Sequence, residues 1–218
     1  MKLTLKLLQN EFEAYLNPQT EKEKDIVRAA EDVFAEFGFS GATTAELAKE
    51  AGVTERTLFK YFPTKHDLYK RVLSGLLLQT ILPGHMSDLK ERIQNLDPNF
   101  KEWYTSILKA RYEAVAKDPK KLKLLLGALL FSKEFAEIFG QMWKVNLYDT
   151  SMEAFCYFQK KGEIRNDLDP NQIVRASFSL GASFLITKFI LAPKFPIDVD
   201  LEIQSIFSIF YQGISNQK

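Results

Sequence analysis

The sequence is poor in the residues that form disulfides and metal sites. One of its 218 residues is cysteine and two are histidine. Cys156 therefore has no partner for an intrachain disulfide, which suits a reducing compartment. Neither His66 nor His85 has a cysteine or acidic residue at a convincing metal-ligand spacing, so no metal site is expected. The fold must depend on a hydrophobic core, for which the chain is long enough.

A large excess of one charge and a long uninterrupted hydrophobic run are also missing. The net charge is +1, so any surface that binds nucleic acid must be a local patch. Leu76–Leu82 is too short to span a membrane, and Phe178–Ala192 contains Lys188 and is predicted to be a buried helix. Residues 1–8 lack the apolar core of a signal peptide. The sequence therefore favours a cytoplasmic protein with no membrane partner.

Enzyme motifs and strand patterns are scarce as well. The sequence contains no P-loop, no GxSxG and no dinucleotide-binding glycine fingerprint. No catalytic triad is evident either, so neither an enzymatic role nor a cofactor is expected. Apolar residues instead recur at three- and four-residue spacing along nearly every long segment. This periodicity predicts an all-α fold.

Three regions are predicted along the chain. Residues 1–19 form an N-terminal extension helix, residues 20–70 a first helical domain, and residues 71–218 a second helical domain. The first helix of residues 20–70 is expected to begin with a capping box of Thr20 and Glu23. It is expected to end at Gly38 in a left-handed turn. The spacing of Thr64 and Asp67 predicts the start of a fourth helix, which runs to about Leu82. Further helices are predicted near Ser87–Asn95, Asn99–Ala116, Pro119–Phe131, Lys133–Lys161, Asn171–Leu191 and Asp198–Gln212.

The segment Thr43–Tyr61 contains the motif most informative about function. Thr43 and Glu46 have the spacing of a second capping box, Gly52 permits a tight turn, and Thr54 can cap the next helix. Two short helices joined in this way form a helix-turn-helix, whose second helix enters the DNA major groove. A three-helix bundle that binds nothing has the same local pattern.

A cluster of basic residues favours the DNA-binding interpretation. Between residues 54 and 71 the acidic residues are only Glu55 and Asp67. A local positive surface with nearby hydroxyl groups suits contacts with the phosphate backbone. The basic residues of this segment are Arg56, Lys60, Lys65, Lys70 and Arg71.

The stretch Ile26–Leu68 closely resembles the tetracycline-repressor (TetR) family. Its combination of Phe-x-x-x-Gly, Thr-Thr, Ala-Gly-Val, Thr-Leu-Phe-x-Tyr-Phe and Thr-Lys is specific. The resemblance implies a homodimer with nine or more helices per subunit, which represses by binding an operator and is released by a small ligand. Residues 20–70 would then be its helix-turn-helix DNA-binding domain, and residues 71–218 its helical ligand-binding and dimerisation domain. The segment Gly162-Glu-Ile-Arg-Asn-Asp is similar to a loop that these proteins often carry, whereas the helix before Thr20 exceeds the usual family length.

The resemblance also implies roles for individual residues. Thr44, Tyr61 and Lys65 would contact phosphates. Glu55, Arg56 and Thr57 would face base edges, with Arg56 able to pair with guanine. Phe59 replaces the tyrosine common in the family and could touch a thymine methyl, and Lys60 would contact a phosphate or a base. The complete predicted DNA-binding set is Thr43, Thr44, Thr54, Glu55, Arg56, Thr57, Phe59, Lys60, Tyr61 and Lys65.

The C-terminal region is rich in aromatic residues, which more often fill a core than line a pocket. Together they favour a cavity for a small hydrophobic effector. The residues predicted to line it are Trp103, Phe139, Trp143 and Phe178. The last two helices are predicted to form a four-helix dimer interface. Its residues are Ala176, Ser177, Ser179, Gly181, Ala182 and Ser183 on one helix, and Ile203, Ile206, Phe207, Phe210 and Ile214 on the other.

Three functions remain open from the sequence. The first is a ligand-controlled DNA-binding repressor. The second is a DNA-binding regulator without a small ligand, which acts as an activator or is controlled by a protein partner. The third is a helical interaction protein that has lost DNA binding.

Overall fold

The computed structural model describes residues 20–96 and 99–215. The predicted extension helix of residues 1–19 lies outside the described residues. Within them the chain is helical and has no strand, which confirms the all-α prediction. The helices are α1 (Glu21–Gly41), α2 (Thr44–Glu50), α3 (Glu55–Tyr61), α4 (Lys65–Gly75), α5 (Ser87–Gln94), α6 (Phe100–Lys117), α7 (Pro119–Phe131), α8 (Lys133–Trp143), α9 (Asp149–Lys160), α10 (Pro170–Ile186) and α11 (Val199–Ile214).

Three segments of wider, π-type helix adjoin these elements. Leu76–Met86 continues α4 into α5, Lys144–Tyr148 joins α8 to α9, and Thr187–Leu191 extends α10. The helix predicted at Lys133–Lys161 is therefore one helical run with a π-type segment inside it. Such segments insert extra backbone into a helix without ending it, which explains why the apolar spacing predicted a single element.

The structure confirms the capping box at Thr43 and the helix start at Thr20, whereas α1 continues past its predicted end at Gly38 to Gly41. Thr43 and Glu46 form a reciprocal capping box, and the Thr20 hydroxyl accepts a hydrogen bond from the Glu23 N–H. Gly38 has φ of 69° inside Glu21–Gly41, a conformation that glycine adopts without strain. The backbone therefore kinks at Gly38, before it reaches α2.

The chain divides into two compact units, each built from separated segments. The N-terminal unit contains described residues 20–84 and 118–141, and the C-terminal unit contains described residues 85–117 and 142–215. This division groups the residues that pack together, and it does not test which residues share a function. The functional boundary predicted at residue 70 remains a prediction.

The N-terminal unit is organised around α1, which packs against α2, α4 and α7. Ile26, Val33 and Phe34 of α1 are buried in its core. The Nζ of Lys120, at the start of α7, lies 2.6 Å from Oδ1 of Asp32 in α1. The helix α7 thus belongs to the same compact unit as the predicted DNA-binding region, although α5 and α6 lie between them in sequence.

The C-terminal unit surrounds Phe100, whose ring contacts six other aromatic rings among the described residues. Several hydrogen bonds of this unit involve the loop after α9. The Glu163 carboxylate accepts a hydrogen bond of 2.7 Å from the Phe100 N–H, and the Gln159 amide donates to two carbonyls of the loop. The Arg165 N–H donates to the Ile214 carbonyl. The rings around Phe100 are Trp103, Tyr104, Phe155, Phe158, Phe207 and Tyr211.

One described helical segment, Pro170–Leu191, is long and apolar enough to cross a membrane by length and composition alone. Only 17% of its most apolar window is buried inside the chain. The prediction that Phe178–Ala192 is a buried helix is therefore wrong within this single chain. Most apolar side chains of Pro170–Leu191 are half-buried, whereas Ala176, Ala182 and Leu191 are exposed.

Candidate nucleic-acid interface

The helix-turn-helix consists of α2 and α3. Leu47 and Ala48 of α2 and Leu58 of α3 are buried, so the two helices are held by a small apolar core. Gly52 has φ of 61° in the turn, and the Val53 N–H donates to the Ala48 carbonyl at 2.9 Å. The turn is thus fixed by its own backbone, and α3 presents its other side to solvent.

The structure places the predicted DNA-binding residues at the ends and outer sides of α2, α3 and α4. None of the ten is buried in the chain's core, which is a condition for contact with DNA. The exposed residues of this set are Thr43, Thr54, Glu55, Arg56, Phe59 and Lys60, and the half-buried residues are Thr44, Thr57, Tyr61 and Lys65.

The threonine hydroxyls in this region already have hydrogen-bond partners. The Thr43 hydroxyl donates to Glu46, and its hydroxyl and backbone N–H hold the pKa of Glu46 below its usual value. Thr54 and Thr57 share a hydrogen bond of 3.0 Å between their hydroxyls. The Thr44 hydroxyl donates to the Glu55 carboxylate at 2.6 Å, which links the first residues of α2 and α3.

Lys65 is anchored to the backbone that leads into α2. Its Nζ donates to the carbonyls of Phe39 at 2.8 Å and Ala42 at 2.9 Å. It also lies 4.6 Å from the centre of the Phe39 ring, within the range of a cation–π interaction. The side chain predicted to contact a phosphate therefore also holds the α1–α2 connection. Neither Phe39 nor Ala42 was identified from the sequence, where no pattern marked a carbonyl as an acceptor.

The positive surface is smaller than the sequence predicted. Arg71 is buried, with its Nε 3.8 Å from a Glu23 carboxylate oxygen, and Lys70 lies 3.3 Å from Glu134. Within the described ranges, no ion pair involves Arg56 or Lys60. These two exposed cations, one helical turn apart on α3, are the charges most available to DNA.

The residues predicted to line an effector pocket are divided among three clusters. Trp143 and Phe178 are in contact, with ring centres 5.1 Å apart. Trp103 belongs to the cluster around Phe100, where its ring N–H donates to the Ile93 carbonyl. Phe139 stacks on Phe135 in the N-terminal unit. The structure brings together only Trp143 and Phe178 of the four.

A groove of about 200 Å³ lies elsewhere in the C-terminal unit. It is formed by α10, its π-type extension, the connection to α11 and α11 itself. Most of its lining is apolar, and its charged lining residues are one lysine and one glutamate. The lining residues are Leu180, Ser183, Phe184, Thr187, Lys188, Ala192, Phe195, Ile197, Glu202 and Ile206.

Several residues assigned to the dimer interface face the chain's own core instead. Ile203, Phe207, Phe210 and Ile214 are buried within the chain, and a Cβ on Gly181 would meet Leu108 of α6 at 3.4 Å. The apolar spacing of α11 was correct, but it marked the face that packs against α6. The outer faces of α10 and α11 instead carry Ala176, Ser179, Ala182, Ser183, Leu201 and Ile209.

Comparison with known proteins identifies the part of the chain that contains the helix-turn-helix. Residues 26–72 match the family described as bacterial regulatory proteins, tetR family. The chain is 45% identical over 56 residues to the HTH-type transcriptional regulator RutR of Escherichia coli strain K12, which is 26% of each chain. It thus spans about a quarter of the length of that curated relative.

Solved structures resemble the chain over nearly its whole length. The ketosteroid transcriptional regulator KstR2 of Mycobacterium tuberculosis has a TM-score of 0.66 at 18% identity, covering 92% of this chain and 98% of its own. FadR of Bacillus subtilis, in complex with stearoyl-CoA, has a TM-score of 0.65 at 20% identity, covering 88% and 98%. At such identity the likeness concerns the fold alone. Residues 26–72, which contain the whole helix-turn-helix, are therefore the part of the chain that matches the tetR family of bacterial regulatory proteins.

Proposed function

We propose that the chain is a transcriptional repressor that binds a palindromic operator as a homodimer and releases it when a small hydrophobic effector binds. The observation that carries the proposal is the exposed α3 of a tetR-family helix-turn-helix. Its N-terminus is capped by Thr54, and its inner side is fixed by the buried Leu58. A rigid, exposed helix with free cations is the arrangement that major-groove reading requires.

The decisive experiment selects bound sequences from random double-stranded DNA with the full chain. Enrichment of a palindrome supports operator reading. Its half-sites should lie about one DNA turn apart, roughly 34–36 Å. A protein that enriches no sequence, while remaining folded by circular dichroism, is not a sequence-specific regulator. That result would favour a helical interaction protein.

Arg56 is proposed to read a base directly. If its guanidinium pairs with guanine O6 and N7, Arg56→Ala should relax the preference at one symmetric position, at a cost of about 1–3 kcal/mol. The measurement is binding to a panel of base substitutions in the selected operator. Lys60→Ala is the matched control on the same helix and should lower affinity more evenly. An even loss across the panel for Arg56→Ala would show that Arg56 contacts only the backbone.

The dimer is proposed to form through the outer faces of α10 and α11. Leu201 and Ile209 are 66% and 69% exposed within the chain, and small residues on α10 permit close helix approach. We expect a dimer by sedimentation at micromolar concentration, and Ile209→Glu should shift it toward monomer, because a charge would be buried in the interface. Leu130→Glu changes an equally exposed residue of the N-terminal unit and should leave the dimer intact. A monomeric wild type contradicts the proposal.

The effector is proposed to bind among aromatic residues of the C-terminal region. Contact between Trp143 and Phe178 supports this position, and a neighbour of the same fold is known with stearoyl-CoA bound. An effector acts only if its affinity differs between dimers that can and cannot bind DNA. Fatty acids, acyl thioesters and aromatic compounds are therefore to be screened by tryptophan quenching and by operator release. Quenching without any change in operator affinity argues against an effector and favours a regulator without a small ligand.

A further inference from the structure

An acidic residue stands at the start of the helix proposed to read DNA. Glu55 is the first residue of α3, and its carboxylate accepts a hydrogen bond of 2.6 Å from the Thr44 hydroxyl. This length is typical of the short, strong bonds between a hydroxyl and a charged carboxylate. Because Thr44 is itself the first residue of α2, the bond fixes the carboxylate between the two helices.

The position of this carboxylate is unusual for a surface that meets phosphates. Glu55 is exposed, and the next residue, Arg56, and Lys60 are the exposed cations of the same helix. The free N–H groups at a helix start favour an anionic side chain there. Toward DNA, however, a carboxylate repels phosphate oxygens, so Glu55 weakens backbone binding unless it meets a hydrogen-bond donor.

The base edges in the major groove offer only two kinds of donor. An ionised carboxylate can only accept hydrogen bonds. Guanine N7 and O6 and thymine O4 are acceptors, whereas cytosine N4 and adenine N6 are donors. Glu55 therefore discriminates against guanine and thymine by repulsion and can pair only with cytosine or adenine.

The bond from Thr44 favours cytosine over adenine. Adenine presents the acceptor N7 beside its N6 donor, a pair that suits an amide side chain with its own donor and acceptor. Glu55 has no donor, so adenine N7 would face a carboxylate oxygen held in place by Thr44 without forming a bond. A single acceptor matches cytosine, whose edge shows one amino group.

We propose that Glu55 determines specificity by accepting a hydrogen bond from a cytosine amino group, and that Thr44 is its positioning residue. This inference rests on the proposed DNA binding and names the base that the site selects. It also assigns the Thr44 hydroxyl to the carboxylate instead of a phosphate.

The experiment uses the full chain and the operator selected by the wild type. Substituting each base pair should reveal a symmetric C·G position at which replacement costs at least about ten-fold in affinity. Glu55→Gln should shift the preference there toward adenine, because an amide matches N6 and N7. Thr44→Val should lower discrimination at that same position several-fold while preserving the salt dependence, and Thr44→Ser should restore discrimination.

The outcomes separate this inference from the proposed function. If the wild type enriches no sequence, DNA reading itself fails. If the wild type reads an operator but Glu55→Gln keeps every base preference, only the role of Glu55 is overturned. A decrease of about one in the salt slope for Thr44→Val would make Thr44 a phosphate contact and overturn its positioning role. Circular dichroism establishes that each variant is folded.

Discussion

Lys65→Ala should weaken binding to every DNA sequence and also lower the free energy of unfolding. The two effects have separate causes. Loss of the proposed phosphate contact would reduce the salt slope by about one, whereas loss of the hydrogen bonds to Phe39 and Ala42 leaves two carbonyls without their cationic donor. Hydrogen bonds from charged groups contribute about 1.5–3 kcal/mol each when they are shielded. For this half-buried pair we expect a combined loss of about 2 kcal/mol.

The measurements are denaturant unfolding and salt-dependent binding to the selected operator. Lys60→Ala provides the control, because it removes a cation from α3 whose side chain is exposed. That variant should bind DNA less tightly with little change in unfolding. If Lys65→Ala unfolds like the wild type, the carbonyl bonds do not hold the α1–α2 connection. If it binds DNA like the wild type, Lys65 contacts no phosphate.

Tyr104→Phe should prevent a large part of the loss of stability that the protein undergoes in alkaline solution. The Tyr104 ring is buried between α6 and α11, against Phe207 and Phe210. Burial raises the pKa of its hydroxyl from 10.0 to about 12, and the nearby Ser177 side chain opposes this only in part. The buried oxygen has no hydrogen-bond partner of good geometry among the described residues. The folded state therefore favours the neutral phenol.

The direction of the pH effect follows from the raised pKa. Below pH 10 both states keep the proton, so the stabilising effect is fully present. Between pH 10 and about pH 12 the unfolded chain loses the proton first, and stability falls by up to about 3 kcal/mol, at 1.4 kcal/mol per pKa unit. The measurement is the free energy of unfolding at pH 8 and at pH 11.

Two further variants isolate the effect of Tyr104. Tyr157 is 39% exposed, and Tyr157→Phe should leave the alkaline loss nearly unchanged. Burial also raises the pKa of Tyr69 in the N-terminal unit, so Tyr69→Phe should remove a separate part of the loss. At pH 8, Tyr104→Phe should be neutral or slightly stabilising, because a poorly bonded hydroxyl leaves the core. An alkaline loss equal to that of the wild type would contradict the assignment.

Local chemistry made the helix ends predictable. The capping boxes at Thr43 and Thr64 form as their spacing indicated, and Gly38 and Gly52 adopt positive φ. Each feature depends on atoms within a few residues of one another, so one sequence is enough to identify it. The helix-turn-helix, which consists largely of such features, was predictable for the same reason.

The packing partners of each helix were less predictable. Phe37 follows the apolar spacing of α1 but is 48% exposed, and Arg71 is buried beside Glu23. The apolar side of α11 turned out to pack against α6, which left a different face for a partner. These outcomes depend on which helices meet in space. The helical spacing of one segment shows that it has an apolar face but not what covers that face.

The division of the N-terminal unit into two separated segments limits how the helix-turn-helix can be exchanged between proteins. A fragment that ends at Gly84 contains the helix-turn-helix but lacks α7, which packs on α1 and bonds to Asp32 through Lys120. A chimera joined at a single point after Gly84 would therefore pair α1 of one protein with α7 of the other. A transplant of the helix-turn-helix must therefore include residues 118–141 as well, or replace only the exposed side chains of α3.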